Sequence, residues 1–193
     1  MSTRPVAVTT AASAKIVVSG GFGAGKTTLV STISEIPPLR TEAELTTAGI
    51  GVDDLDQLEA KTTTTVALDF GRVTLGEDLR LYLFGTPGQA RFRFMWDDLV
   101  RGALGALVLV DTRRLESCYE AIDYYERNDI PFVVAVNQFE GGPRHRLDQV
   151  RTALNVAPHV PLLRFDARNR EAVKEVLVRL LDVLLARAGA PPS

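Results

Sequence analysis

Four short stretches of this 193-residue chain carry mostly apolar side chains: residues 15–20 (KIVVSG), 103–110 (ALGALVLV), 131–136 (PFVVAV) and 161–165 (PLLRF). A strand with one wet face alternates polar and apolar residues. A strand without that alternation is covered on both faces, as in a parallel sheet. Helix-like segments separate the runs, at residues 26–35, 116–127, 147–154 and 169–188. In the last of them Val173, Val176, Leu177, Leu180, Leu181 and Leu184 recur at helical spacing and form one apolar face. Glu175 and Arg179, four residues apart, are expected to pair on the other face. Strand and helix in alternation predict an α/β fold with helices on both sides of the sheet. Residues 64–75 and 79–84 bracket Gly76-Glu77-Asp78 and read as a hairpin that adds one antiparallel edge strand. Residues 92–100 read as a short helix, and the polar residues 39–63, with Gly49 and Gly51, as a long loop. In such a sheet ligands bind beyond the carboxyl ends of the strands.

The composition removes several chemistries. Lys plus Arg is 22 against 24 Asp plus Glu, a net charge of −2, which gives no overall pull toward nucleic acid or anionic lipid. Cys118 is the only cysteine, which excludes an intrachain disulfide framework and cysteine-rich zinc sites; its helix-like setting predicts a buried, inert thiol. His145 and His159 are the only histidines, too few and too scattered for a His-based triad or zinc hydrolase. The first residues lack a secretory apolar core, and the run 103–110 is too short to span a bilayer. A cytoplasmic protein is expected, membrane-associated only through a partner. Residues 1–13 and 189–193 read as disordered tails around one domain, 14–188.

Residues 20–27 read GGFGAGKT, which fits the pattern Gly, four residues, Gly, Lys, Ser or Thr, placed between a strand and a helix. Glycines let backbone N–H groups turn inward around an anion, and the helix N-terminus adds partial positive charge. Gly20, Gly23, Ala24, Gly25, Lys26, Thr27 and Thr28 are thus candidate phosphate-binding residues. Lys26, one of only four lysines, would reach the terminal phosphates, and the Thr27 hydroxyl would lie on a magnesium ion.

Further along, LYLFGTPGQARF (81–92) resembles the second switch of the Ras-like small GTPases, and TTVALDFG (64–71) resembles their first-switch threonine with the strand after it. The resemblance implies a three-layer P-loop NTPase fold with a Ras-like six-stranded sheet, mostly parallel with one antiparallel edge strand. It also implies GTP and GDP as ligands, Mg2+ as cofactor, and hydrolysis of GTP to GDP and phosphate. On this mapping Thr65 binds magnesium through its hydroxyl and the γ phosphate through its N–H, with Thr62, Thr63 and Thr64 within a short slip of that role. Gly88 would donate its N–H to the γ phosphate, and Gln89 would orient the attacking water. Lys26, Thr65 and Gln89 are the candidate catalytic residues; Thr27 and Thr65 are the metal ligands. Gly85 stands where most of the family has an aspartate that holds a water on magnesium. Asp111 is either an alternative acid for that role or a structural or base-side residue. Phe22 replaces a small glycine and crowds the space that an external arginine finger would use, so intrinsic hydrolysis is expected to be slow. Arg91 and Arg93 lie beside the second switch in an aromatic cluster, Phe92, Phe94, Met95 and Trp96, which suits a partner interface or an internal arginine.

VAVNQFE (134–140) is similar to the family's base-reading motif. Asn137 keeps its place, Gln138 replaces the usual lysine, and Glu140 would accept from guanine N1–H and N2–H as a buried carboxylate. LRFDAR (163–168) is similar to the last family motif, with the Ala167 N–H aimed at guanine O6 and Asp166 and Arg168 flanking it. In detail, GGFGAGKTT, KTTTTVALDFG, LFGTPGQ, MWDDL, VNQFE and DAR resemble the actinobacterial conservon GTPases, kin of the gliding-motility Ras-like GTPases. That resemblance implies a switch working with a roadblock-type protein and a sensor-kinase-like membrane protein; the charge balance predicts no nucleic-acid partner. A monomer is expected, with nucleotide-dependent dimerisation open. An ATP-hydrolysing P-loop enzyme and a nucleotide-bound scaffold with negligible hydrolysis are the alternatives.

Overall fold

A computed structural model describes residues 12–37, 39–46, 63–76 and 78–189. Its seven strands form one sheet. They are β1 (Ala12–Gly20), β2 (Leu39–Thr46), β3 (Thr63–Leu75), β4 (Leu79–Gly85), β5 (Gly105–Val110), β6 (Phe132–Asn137) and β7 (Leu162–Phe165), in the order β2-β3-β4-β1-β5-β6-β7. The helices are α1 (Lys26–Ile33), α2 (Trp96–Val100), α3 (Glu116–Arg127), α4 (Leu147–Leu154) and α5 (Arg170–Ala188), and a short 3-10 helix, Ala90–Met95, leads into α2.

From β4 through β7 every pairing is parallel, and β3 alone runs against the rest. This is the mostly parallel sheet with one antiparallel strand that the sequence predicts. The edge differs. Leu39–Thr46, expected within a loop, is a strand that pairs antiparallel with β3 from Leu39 opposite Phe70 to Thr46 opposite Thr63. The segment LRTEAELT alternates in sequence, but its apolar members are few, and only the free edge of β3 makes that weak alternation a strand. β3 is therefore interior to the sheet. The other end of the long polar segment, residues 47–62 with Thr62, Gly49 and Gly51, lies outside the described residues. β1 starts at Ala12, inside the stretch expected as a tail, because Ala12 donates to the Asp78 carbonyl at 2.6 Å and continues the ladder with β4.

Each face of the sheet carries its own core. On one side Ile16, Leu81, Leu83, Leu107 and Leu109 meet Leu29, Val30 and Ile33 of α1 and Val173, Val176, Leu177 and Leu180 of α5. On the other, Val17, Val108 and Val134 meet Cys118, Ala121, Ile122 and Tyr125 of α3 and Val150 and Leu154 of α4. The periodic face of α5 is thus the buried one, with Leu181 and Leu184 at its edge. On its outer face Arg179 pairs with Asp182 at 3.6 Å, one turn later, in place of the expected Glu175. Asn169 caps α5, its side chain accepting from the N–H groups of Glu171 and Ala172. Cys118 is fully buried, and burial pushes its thiol up to about 11, so it is the inert residue expected.

Candidate functional site

The carboxyl ends of β1, β4, β5, β6 and β7 open on the same edge of the sheet, and the candidate residues follow each of them directly. β1 runs into the glycine loop, and α1 begins at Lys26 after Gly25 in the left-handed region, φ +105°. A side chain at Gly25 would be excluded twice over: by that backbone angle and by Asn137, whose Nδ2 lies 2.4 Å from where a Cβ would stand. Lys26 folds over the loop, its Nζ donating to the carbonyls of Gly20 and Gly21, both at 2.8 Å. Burial lowers its pKa to about 8, with Asp69 acting in the opposite direction.

Lys26 opens into a cavity of about 570 Å³ bordered by Phe22, Thr27, Asp69, Gly88 and Gln89. Gly23, Gly25, Thr28, Thr86 and Arg91 complete much of its wall. Gly88 lies against the phosphate loop: a Cβ there would be 2.7 Å from Lys26 Nζ and 2.8 Å from Phe22 N. The segment after β4 therefore comes down directly on the glycine loop. The Phe22 ring stands out from that loop and is 68% exposed.

Asp69 is the residue that sequence reasoning missed. Thr27 Oγ1 donates to Asp69 Oδ2 at 2.6 Å. Phe70 and Phe84 are register partners in β3 and β4, so Asp69 stands one step on, across from Gly85. A Cβ at Gly85 would lie 3.0 Å from the Asp69 Cβ. The glycine that breaks the family pattern thus makes room for a carboxylate delivered from the neighbouring strand. A hydroxyl and a carboxylate side by side beside the lysine offer the hard oxygen donors that a magnesium ion takes. The signal was present as one acid in an otherwise apolar stretch, VALDFG. Thr65 lies in β3 opposite Glu44, four residues before Asp69, and its side chain is outside the described residues.

Asp111, at the end of β5, is buried and binds Arg113 through both carboxylate oxygens, at 2.8 Å each. Those bonds hold its carboxyl below the usual range. Arg113 in turn lies 4.0 Å over the Phe139 ring, and Arg114 Nη2 donates to the Phe22 carbonyl at 2.8 Å. Asp111 does not border the phosphate cavity; it ties the glycine loop to the loop after β6, which is the structural role.

On the base side, Asn137 Nδ2 donates to the Ala24 carbonyl and its Oδ1 accepts from Ala167 N, both at 3.0 Å. The Ala167 N–H, expected to face a base, is engaged by Asn137 here. The Gln138 N–H donates to the Phe165 carbonyl. Asp166 and Arg168 form a two-bond pair, and Arg168 Nη1 reaches Glu140 Oε2 at 3.5 Å. The Glu140 side chain is 90% exposed, so the expected buried carboxylate is a surface one, because the short turn after Phe139 carries it outward to Arg168. Arg93, the other arginine near the second switch, is paired with Glu120. Phe92 is buried, Phe94 is exposed, and Trp96 packs on Tyr124.

A family model described as "Conserved hypothetical ATP binding protein" matches residues 18–187. An uncharacterized protein, MJ1339, of Methanocaldococcus jannaschii is 32% identical over 130 residues, which cover 66% of this chain and 71% of that one. Ras-related protein RABD2b of Arabidopsis thaliana is 26% identical over 140 residues, 67% of this chain and 69% of the relative. The solved FeoB G-domain from Methanococcus jannaschii shares the fold, with a TM-score of 0.59 at 13% identity, over 90% of this chain and 98% of that structure. The chain belongs to the family described as conserved hypothetical ATP binding protein, and its homology is of the Ras-like P-loop type.

Proposed function

We propose, from that Ras-like homology, that the protein is a GTP-binding switch with slow intrinsic GTP hydrolysis. The observation that carries the reading is that Gly88 and Gln89, from the end of β4, share one cavity with Lys26, Thr27 and Asp69. The glycine loop would hold the phosphates through its N–H groups, and Lys26 would place its ammonium on the terminal pair. Thr27, Asp69 and Thr65 would hold a magnesium ion, which when bound offsets charge on the β and γ phosphates. Gln89 would orient the attacking water, and Gly88 would give its N–H to the γ phosphate, which ties the second switch to nucleotide state. The exposed Phe22 ring would stand on the path of an external arginine and would keep turnover slow. The finer kinship with the conservon GTPases, and with it a roadblock-type partner and a sensor-kinase-like membrane protein, belongs to the same proposal. Among the described residues no helix is long and apolar enough to cross a membrane.

The second reading is an ATP-binding protein on the same loop. The family's own description and the exposure of Glu140 favour it. Guanine offers two donors to a carboxylate where adenine offers an acceptor, so the two readings separate on base competition. Displacement of a fluorescent GDP by unlabelled GTP and ATP is the test. Preference for GTP, lost in Glu140→Ala, is expected; equal displacement by ATP would replace the switch with the second reading.

A further inference from the structure

Trp96 is the only tryptophan in the chain. It opens α2, and its ring packs edge-on against Tyr124, with centroids 5.4 Å apart at 86°. Its Nε1 is buried and, among the described residues, has no hydrogen-bond partner. A buried N–H without an acceptor is rare and costly, so an acceptor should come within its reach in some state of the protein.

The indole borders a chamber of about 20 Å³ walled by Gly20, Gly88, Gln89, Ser117 and Glu120. That is room for one water. Most polar neighbours are already engaged. The Gly20 carbonyl accepts from Lys26, Glu120 is paired with Arg93, Ser117 Oγ is held by its bond to the Arg114 carbonyl, and none of these groups bonds Nε1. Gln89 is different. It precedes the 3-10 helix, but its side chain caps nothing. It also borders both this chamber and the cavity beside Lys26.

We propose that the Trp96 indole N–H is a resting seat for Gln89. In the resting state the Gln89 carboxamide oxygen accepts from Nε1, directly or through one water in the chamber. It leaves that seat when it turns toward the phosphates. Trp96 is then a positioning residue that sets the fraction of Gln89 available to orient water. The consequence for hydrolysis rests on the proposed GTPase reading; the seat itself does not.

The test has two arms. In nucleotide-free protein labelled with nitrogen-15, the single indole N–H resonance should move between wild type and Gln89→Ala, and its solvent exchange should quicken in the variant. An indole resonance unchanged in position and exchange would overturn the seat, whatever the protein hydrolyses. In single turnover, Trp96→Phe should raise phosphate release by about two- to fivefold, because the competent fraction of Gln89 grows. Benzothienylalanine at position 96 keeps the ring's shape without the N–H and should give the same rise even where phenylalanine loosens the packing on Tyr124. No rise with benzothienylalanine would overturn the positioning role. A wild type that does not hydrolyse GTP at all would remove the GTPase reading and with it the positioning role, while the resonance comparison still decides the seat.

Discussion

Asp69 of β3 occupies the space that a side chain at Gly85 of β4 would need. The carboxylate that accepts from Thr27 at 2.6 Å comes from β3, and the missing Cβ on β4 leaves it space. Asp69→Gly should weaken magnesium-dependent nucleotide binding on the order of tenfold, as loss of a residue orienting a metal site does. The double variant Asp69→Gly with Gly85→Asp should recover part of the loss, since the Cβ at position 85 no longer meets an Asp69 side chain. Titration of a fluorescent nucleotide at several magnesium concentrations reads both, and a double variant no better than the single one would show that the two positions are not interchangeable. Lys26 makes a separate prediction. Burial brings its pKa to about 8 in the empty protein, and a bound phosphate raises it again. Binding therefore takes up a proton above pH 8, and affinity should be flat below that pH and fall by up to about tenfold per unit above it. Without nucleotide the folded protein holds fewer protons on Lys26 than the unfolded chain from about pH 8 up to the ordinary lysine value, so this group's contribution to stability rises with pH across that window. Calorimetry in two buffers of different ionisation enthalpy measures the proton uptake directly.

Short connections, more than the regular elements, hold the site together. The turn between β5 and α3 is a strap: Asp111 anchors it, Arg113 covers Phe139, and Arg114 grips the Phe22 carbonyl. Arg113 still binds both oxygens of the buried Asp111 when Arg114 is removed, so no unpaired buried charge is left behind. Arg114→Ala should consequently speed nucleotide dissociation several-fold, by loosening the glycine loop, and barely change the melting temperature of the empty protein. Stopped-flow release of a fluorescent nucleotide, set beside thermal unfolding, separates the local effect from a global one; unchanged release would mean that the strap is decorative. A second link runs through the sheet. The Thr86 hydroxyl donates to Ser19 Oγ at 3.3 Å, and Ser19 shares a hydrogen bond with the buried Tyr125 hydroxyl, so the segment after β4 is bonded to α3.

At the scale of the molecule, one edge of a seven-stranded sheet gathers residues from 20 to 168 into a single face. The amino-acid sequence by itself determined the alternation of strands and helices, the buried side of α5, the glycine loop and Lys26. Each of these depends on neighbours within about a turn or a strand: apolar periodicity, backbone freedom at glycine, and the N-terminus of a helix. Asn137 was legible for the same reason, standing directly after an apolar run. Only the tertiary structure decided the rest. Asp69 meets Thr27 across 42 positions of chain, through a strand register that no local pattern encodes. Leu39–Thr46 became a strand because β3 offered it a free edge, and Glu140 stands on the surface because the turn after Phe139 carries it outward, beside Arg168 from a different loop. Asp111 is a structural anchor because Arg113 and Arg114 occupy its carboxylate. Local sequence fixes which groups are available, whereas sheet register and loop packing fix which of them meet, and the chemistry of this site depends on the meetings.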